Sequence, residues 1–332
     1  MFKKTDYTYL DLSNSIPLSN PVPVLRLNDK HPLNIAVKDS LAIIIFYEDD
    51  TCGAVYNMDN HKLIVNFGIV GEGPGEVKDI DFVTNKQEAL DKDSLYFYDT
   101  NRGRLLGLPL GLNENRFKLK EVDSPKEIYG SSNINVSGDL LVGRKTGSKG
   151  KMFFIYHYSS ENMQLIDYYP AINGLDESSK GLSYGPHLAL NEKKGKIIAG
   201  MYFMDLIHVY NTYGEREKTI CFSKQPISPL NQYGMLDVRR GFFGMCGIYP
   251  TEDYCYIRRN ESIFVNENQE LTDKTIFMKM DWNGNLIKSY AVTGQLSVGF
   301  CIDEKNNRLY AIQHIIEANN AEYYDVVYYD LN

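Results

Sequence analysis

The sequence has few cysteines, one tryptophan and no long apolar segment. Its five cysteines lie far apart in 332 residues, at Cys52, Cys221, Cys246, Cys255 and Cys301. An odd number at this spacing fits neither a disulfide framework nor a zinc-binding pattern. Their neighbours are mostly apolar or aromatic, as in TICF and VGFCI, so we expect buried thiols. No apolar run approaches the roughly 18 residues that cross a bilayer, so no transmembrane segment is predicted.

Basic residues are also too few for a nucleic-acid-binding protein. The formal net charge is -8 and the isoelectric point is near 5.4, whereas proteins that bind a phosphate backbone carry a basic surface. The first residues, MFKKTDYTYLDLS, have two lysines with no apolar stretch behind them, so no signal peptide is predicted. Two alternatives follow: a cytoplasmic protein, if the chain is full length as written, or an exported one whose signal was removed before this chain was made. A hydrophobic content of 43% is typical of a globular chain.

Helical periodicity is missing as well, and short β-strand patterns take its place. The chain has 25 tyrosines, and its apolar runs are separated by Asn, Asp and Gly turns. A three-residue motif recurs as IAV, IDF, INV, LAL, CGI and FCI, at intervals of 45, 54, 54, 58 and 54 residues. The motifs begin at Ile35, Ile80, Ile134, Leu188, Cys246 and Phe300. Regular repeats of this length are typical of propellers and solenoids.

Each motif is followed by a polar turn and further strand patterns, giving four strands in a repeat. Six such repeats predict an all-β, six-bladed β-propeller of four-stranded antiparallel blades, forming one domain over residues 1–332. The second copy is the weakest, because RLLGLPLGL is a poor third strand. The sixth copy ends after its third strand, so we expect an N-terminal strand, YTYLDL, to close the ring as its fourth.

The glycine-rich stretch GIVGEGPGEV, at residues 68–77, is a candidate phosphate-binding loop. A dinucleotide-binding loop needs G-x-G-x-x-G at the start of a helix, but here the spacing differs and another strand follows. Gly73-Pro74-Gly75 instead predicts a tight turn, with Gly75 at a positive φ and Glu76 capping the turn.

This stretch also carries a resemblance to a known family. Gly71-Glu72-Gly73-Pro74-Gly75-Glu76 after NFG, followed by an inner strand and DSLYFYDTNRGRL, resembles the TolB-like six-bladed propellers of Bacteroidetes. With the repeats, the resemblance covers nearly the whole chain. It implies a propeller that is often exported or lipid-anchored, which favours the periplasm or cell envelope, and it implies no established activity.

Propeller geometry predicts which end of the blades binds a ligand. Turns between strands one and two, and between three and four, share one face and are short here. The other links are long, and long loops on a regular scaffold are where binding residues concentrate. These links cover residues 121–132, 170–186, 223–241 and 258–274.

The candidate ligand-binding residues follow from this geometry. His187 and Asn133 precede inner-strand motifs, so we expect both at the mouth of the channel; a hydrogen-bonded structural histidine is the alternative for His187. Arg239 and Arg240 form a cationic pair on the longest link and favour an anionic ligand, with solvated surface arginines as the alternative. Tyr184 lies on the neighbouring link and offers an aromatic ring for stacking, although packing in the core is an alternative for it.

Catalytic motifs are missing: the chain contains no G-x-S-x-G nucleophile elbow and no H-E-x-x-H metal motif. The sequence therefore predicts a non-catalytic monomer that has no cofactor and binds a protein, peptide or envelope glycan. The alternative is an enzyme in the channel, a lyase or a metal-dependent lactonase or hydrolase. A divalent metal held by Asn34, Asp79 and Asn133 would serve that alternative.

Overall fold

A computed structural model describes residues 7–28, 30–47, 49–73, 75–83, 94–110, 119–145, 151–237, 245–260, 274–294, 296–317 and 321–331. The chain forms six β-sheets of four or five strands, the blades of a six-bladed propeller, as the repeats predict. Its contacts divide into two compact units. One comprises Met1–Pro17 with Ser131–Val292 and contains blades three to five; the other comprises Leu18–Gly130 with Thr293–Asn332 and contains blades one, two and six.

The first part of the chain contains three short strands and the first two blades. The short strands are β1 (Thr8–Tyr9), β2 (Ile16–Leu18) and β3 (Val22–Leu27). Blade one contains β4 (Pro32–Lys38), β5 (Leu41–Phe46), β6 (Thr51–Asn57) and β7 (Lys62–Ile69). Blade two contains β8 (Ile80–Phe82), β9 (Ser94–Asp99), β10 (Arg104–Pro109) and β11 (Lys120–Val122), and a 3-10 turn follows at Lys126–Ile128.

Blades three and four are joined by a link with short helical turns. Blade three contains β12 (Ser131–Ser137), β13 (Leu140–Lys145), β14 (Lys151–His157) and β15 (Asn162–Asp167). The link contains a 3-10 turn at Glu177–Ser179 and the four-residue helix α1 (Lys180–Ser183). Blade four contains β16 (Pro186–Asn191), β17 (Lys196–Met201), β18 (Leu206–Asn211) and β19 (Arg216–Cys221).

The last two blades follow the same order. Blade five contains β20 (Met245–Pro250), β21 (Tyr254–Asn260), β22 (Lys274–Asp281) and β23 (Leu286–Thr293). Blade six contains β24 (Leu296–Asp303), β25 (Arg308–Ile316) and β26 (Glu322–Asp330). In the described ranges, no helix is long and apolar enough to cross a membrane.

Position within the blade explains the sequence of each strand. Middle strands are covered on both faces by neighbouring blades and are nearly continuous apolar runs, such as LAIIIF in β5. Outer strands alternate between buried and exposed residues, as NMQLID does in β15, where Ile166 is buried and Leu165 is exposed. The apolar core therefore lies between the sheets, and the edges of the outer strands face water.

Four of the five cysteines belong to this core. Cys52, Cys221, Cys255 and Cys301 are free and buried, which confirms the sequence prediction for them. Burial raises the pKa of the Cys52 thiol to about 12 and that of Cys221 to about 11, so both are protonated at neutral pH. The side chain of Cys246 lies outside the described residues.

An N-terminal strand completes blade six, but it is not the predicted one. The outer strand is β3, whose Val22 and Leu27 pair with Tyr328 and Tyr324 of β26. The predicted segment YTYLDL instead adds β1 to blade four, where Thr8 and Tyr9 run parallel to the end of β19. Strand β2 similarly extends blade five next to β23. The prediction was wrong because Pro21 and Pro23 obscure β3, whereas an edge strand tolerates proline since one side needs no hydrogen bonds.

The glycine-rich stretch forms the predicted turn. The amide of Glu76 donates to the carbonyl oxygen of Gly73 at 3.2 Å, and the Glu76 carboxylate accepts from the Gly73 amide. Gly75 has a φ of +81°, and a Cβ there would have no neighbour within 4 Å. Glycine is therefore required at this position by backbone conformation and not by lack of space. The stretch turns the chain from β7 towards β8.

Candidate functional site

The long links of blades three to five meet at one end of their sheets. At this end, the first strand of each blade begins and the second strand of each blade ends. The end carries the β15–β16 link (168–185), the β17–β18 link (202–205) and the β19–β20 link, described from 222 to 237. We call this end the long-link face. The opposite end has short turns closed by side chains, such as Asp281 accepting from the amides of Asn283 and Asn285.

The two longest links are joined by hydrogen bonds and by a shared apolar core. The amide of Asp176 donates to the carbonyl oxygen of Gly234 at 2.8 Å. Gly234 has a φ of +69°, and a Cβ there would lie 2.8 Å from the carbonyl oxygen of Gly174. Leu175 and Leu236 belong to one buried cluster of blades three and four. The links therefore form one folded layer across the ends of these blades.

This layer exposes large apolar side chains. Tyr233 is 70% exposed, Leu182 56% and Met235 38%. The side-chain oxygen of Asn231 accepts from the amides of Tyr233 and Met235 at 2.9 and 3.1 Å, which fixes the backbone that carries them. Arg239 and Arg240, predicted as anion-binding residues of the same link, lie outside the described residues.

Asn133 and His187 come together where the first strands of blades three and four begin. Asn133 has a φ of +53° beside a bulge in β12. Its side-chain oxygen accepts from the amide of Leu188 at 2.8 Å, which leaves its NH₂ group facing Nδ1 of His187 at 3.4 Å. Nδ1 therefore accepts, and the neutral imidazole carries its proton on Nε2.

His187 stays neutral because of its surroundings. Burial, together with the positive charge of Arg144, lowers the pKa of its partly exposed imidazole to about 4. The ring lies 5.7 Å from that of Tyr202, measured between centroids. Within the described part of the chain, no hydrogen-bond partner is seen for Nε2.

Arg144, the next-to-last residue of β13, lies at the same place and is a partly buried cation. Its guanidinium lies flat on Gly185, where a Cβ would be 2.6 Å from Nη2 and 2.8 Å from Cζ. Its one hydrogen bond to a described residue is a long one, 3.4 Å from Nη2 to the carbonyl oxygen of Gly181. Burial lowers the pKa of Arg144, but a guanidinium remains charged at neutral pH. Across the described ranges, no carboxylate pairs with it.

Tyr168 and Tyr184 form the side of this site. Their rings stack at 4.7 Å between centroids. Tyr184 is 1% exposed and its hydroxyl donates to the carbonyl oxygen of Pro170, so the structure places this predicted ligand contact in the core. Tyr168 is partly exposed, and burial raises the pKa of its hydroxyl, whereas the charges of Lys180 and Arg144 lower it.

We call Asn133, Arg144, Tyr168, His187 and Tyr202 the Arg144 cluster. Blade five shows what a paired arginine looks like at the equivalent end of a second strand. Arg259 Nε and Nη2 donate to the two carboxylate oxygens of Asp205 at 2.7 and 3.1 Å, and both side chains are buried. The Arg144 cluster has the cation without such a carboxylate among the described residues.

The residues of the metal alternative are engaged in other contacts. Asn34 donates to Asp81 at 3.4 Å, and its oxygen accepts from the amide of Ile35. Asp79 accepts instead from the hydroxyl of Thr100 at 2.8 Å, and Asn133 contacts His187. Burial raises the pKa of Asp81, which opposes the charged form that a metal needs. Of the residues that the structure describes, no three His, Cys, Asp or Glu side chains are placed to hold a metal ion.

The sequence analysis missed Arg144, Tyr168 and Tyr202. Arg144 in LLVGRK has the sequence of an exposed strand end. The register of the β12–β13 hairpin could have revealed it. Arg144 pairs with Ser132, so it lies next to the start of the first strand, beside Asn133. Its contacts with Gly181 and Gly185 depend on how the next link folds, which local sequence does not specify.

Comparisons with known proteins agree with this architecture. The family model described as TolB-like 6-blade propeller-like matches residues 26–305. No curated protein matches the sequence. A putative exported protein of Bacteroides fragilis has a similar structure, with 13% identity, 97% of each chain covered and a TM-score of 0.53. A DUF4221 family member from Bacteroides vulgatus has 10% identity, with 98% of this chain and 99% of that chain covered and a TM-score of 0.50. A Bacteroides thetaiotaomicron protein of unknown function has 12% identity, with 94% of this chain and 73% of that chain covered and a TM-score of 0.53.

Proposed function

Since the chain belongs to the TolB-like six-bladed propeller family, we propose that it is a non-catalytic binding module that recognises a protein, peptide or envelope glycan on the long-link face. The propeller fold is consistent with a binding role, but the same fold hosts many functions. Support for binding therefore has to come from the residues of the site. The supporting observation is the layer of links joined by Asp176 and Gly234, which holds Tyr233 and Met235 exposed.

Exposing these side chains is unfavourable for the isolated protein. Burying apolar surface contributes about 25 cal/mol per Å², and contiguous exposed apolar groups on a folded layer often mark interaction sites. Tyr in particular contributes large contact area at protein interfaces because it loses little conformational entropy on binding. A partner that covered Tyr233 and Met235 would recover this free energy.

The test is recovery of a partner with matched variants of the whole chain. Immobilised protein would be incubated with envelope and cytosolic fractions of the source organism, and retained molecules identified by mass spectrometry and glycan analysis. The face variant is Tyr233→Asp with Met235→Glu. The control is Tyr213→Asp, which changes a 73% exposed tyrosine in the β18–β19 turn at the opposite end of blade four.

We expect a partner that the wild type and the Tyr213 control retain and that the face variant loses. Circular dichroism and the melting temperature establish that all three proteins are equally folded. A partner retained equally by the face variant would place the binding surface elsewhere. The fraction that contains the partner would also identify the compartment, for which the envelope is the expectation.

A further inference from the structure

Three side chains of the Arg144 cluster carry N–H or O–H groups for which no described residue provides an acceptor. The guanidinium of Arg144 has five N–H groups and makes one long bond, to Gly181. His187 Nε2 carries a proton because Nδ1 faces the NH₂ group of Asn133. The hydroxyl of Tyr168 adds a third donor, beside the same guanidinium, whose charge acts on it. Donors gathered without an acceptor suit a ligand that supplies acceptor oxygens.

The charge of the cluster limits which oxygens these are. Arg144 supplies one positive charge, and His187 is neutral at pH 7 because burial and Arg144 lower its pKa to about 4. The nearby Lys180 is paired with Glu177. A carboxylate carries one negative charge and matches the two-pronged donor geometry of a guanidinium, whereas a phosphate monoester carries about two charges. A single arginine therefore favours a carboxylate.

The flank of the cluster is apolar. Leu182 follows Gly181, whose carbonyl oxygen accepts from Arg144, and its side chain is 56% exposed. The ring of Tyr202 lies 5.7 Å from that of His187 and 4.6 Å from that of Phe203, measured between centroids. An exposed leucine gains more from an aliphatic side chain than from the hydroxyls of a sugar.

We infer that the Arg144 cluster binds a carboxylate of a peptide or protein segment, with an apolar side chain of that segment on Leu182. Arg144 donates two parallel hydrogen bonds to the carboxylate, and His187 Nε2 and Tyr168 complete its coordination. The site takes the place that Asp205 occupies for Arg259, with the carboxylate supplied by the partner. This inference rests on the proposed function and specifies the partner as a protein.

N-acetyl-L-leucine is the smallest probe that combines a free carboxylate with an apolar side chain. Its binding to the whole chain would be measured by calorimetry and by ligand-observed NMR, beside N-acetyl-L-leucine amide, N-acetylglycine, galacturonate and inorganic phosphate. We expect saturable binding of acetyl-leucine at least tenfold tighter than binding of its amide. N-acetylglycine should bind more weakly than acetyl-leucine, because it leaves Leu182 uncovered.

Three variants test which residues contact acetyl-leucine. Arg144→Gln should weaken acetyl-leucine at least tenfold, and Leu182→Ser should remove its advantage over acetylglycine. Arg308→Gln is the matched control, since Arg308 pairs with Asp330 in blade six, and it should bind like the wild type. Melting temperatures verify that each variant is folded.

Several results would overturn the inference. These are equal binding of the acid and the amide, unchanged binding in Arg144→Gln, or preference for galacturonate or phosphate, which would indicate a glycan or a phosphorylated ligand. The partner-recovery experiment separates this failure from failure of the proposed function. If Arg144→Gln retains a partner that Tyr233→Asp with Met235→Glu loses, the long-link face binds without the carboxylate contact.

Discussion

Arg259 is buried and Arg144 is partly buried, and we expect their surroundings to give them opposite effects on stability. A buried cation without a counter-charge costs desolvation free energy, whereas removing one partner of a buried pair leaves the other charge uncompensated. Asp205 is fully buried against Arg259, and the described residues offer no carboxylate to Arg144. If Arg144 binds a carboxylate as proposed, its charge is kept for binding at a cost in stability.

We therefore expect Arg144→Met to leave the free energy of unfolding unchanged or to raise it by about 1 kcal/mol, because a charge no longer has to be desolvated. Arg259→Met should lower it by about 3–5 kcal/mol, because Asp205 is left buried and unpaired. Urea unfolding at pH 7 measures both. A large loss of stability in Arg144→Met would mean that Arg144 has a structural role.

The GPGE turn allows a second prediction at the level of one residue. Gly75 has a φ of +81° in open space, so only the backbone conformation opposes a side chain. Gly75→Val should lower the free energy of unfolding by about 1–3 kcal/mol. Gly75→Asn is the matched control and should cost less, because Asn tolerates positive φ. Equal effects of Val and Asn would show that strain at φ is not the cause.

Strand β3 completes blade six by the contacts of alternate side chains. Leu25 and Leu27 are buried, whereas Val22 is exposed. Leu25→Ala should lower the free energy of unfolding by about 2–5 kcal/mol, the usual cost of removing a buried leucine side chain. Val22→Ala on the same strand should change it by less than about 0.5 kcal/mol, since exposed positions contribute little.

Thermal unfolding of the two variants compares buried and exposed positions within one strand. If Val22→Ala lowered the free energy of unfolding as much as Leu25→Ala, this would contradict the register in which Val22 pairs with Tyr328.

Strand β3 and Arg144 show how far sequence alone reaches. Strand alternation and turn residues are local properties of the sequence. The repeats therefore predicted six blades, and Gly73-Pro74-Gly75 predicted the turn. Strand β3 was missed because its prolines are compatible with a strand only at a sheet edge, and the sequence does not show where the edge lies. The position of Asn133 and His187 at strand starts was predictable, but their partner Arg144 is brought in by packing between blades.

For the whole molecule, we expect two histidines to make the free energy of unfolding depend on pH. Burial and the charge of Arg216 lower the pKa of His208, which is fully buried beside Thr219, to about 3. The pKa of His187 is lowered to about 4. In the unfolded chain both take up a proton near pH 6.5, so the unfolded state binds more protons below that pH and the folded state loses stability.

The free energy of unfolding should therefore fall between about pH 6.5 and 4, by up to about 1.4 kcal/mol per pH unit for each histidine. Urea unfolding at a series of pH values measures the slope. His208→Gln should reduce the slope, whereas His157→Gln, on a partly exposed strand end of blade three, should leave it unchanged. An identical slope in His208→Gln would show that other groups, such as carboxylates, control acid sensitivity.

Strand β3 and strand β26 are separated by roughly 300 residues of chain, although Val22 lies opposite Tyr328. During synthesis on the ribosome, the residues of β3 emerge long before those of β26 exist. Blades one to five can each form as their own four strands emerge, but blade six has to wait for β26. Blade six is therefore the last to close, and until β26 emerges the edge of β3 has no strand of its own blade to pair with.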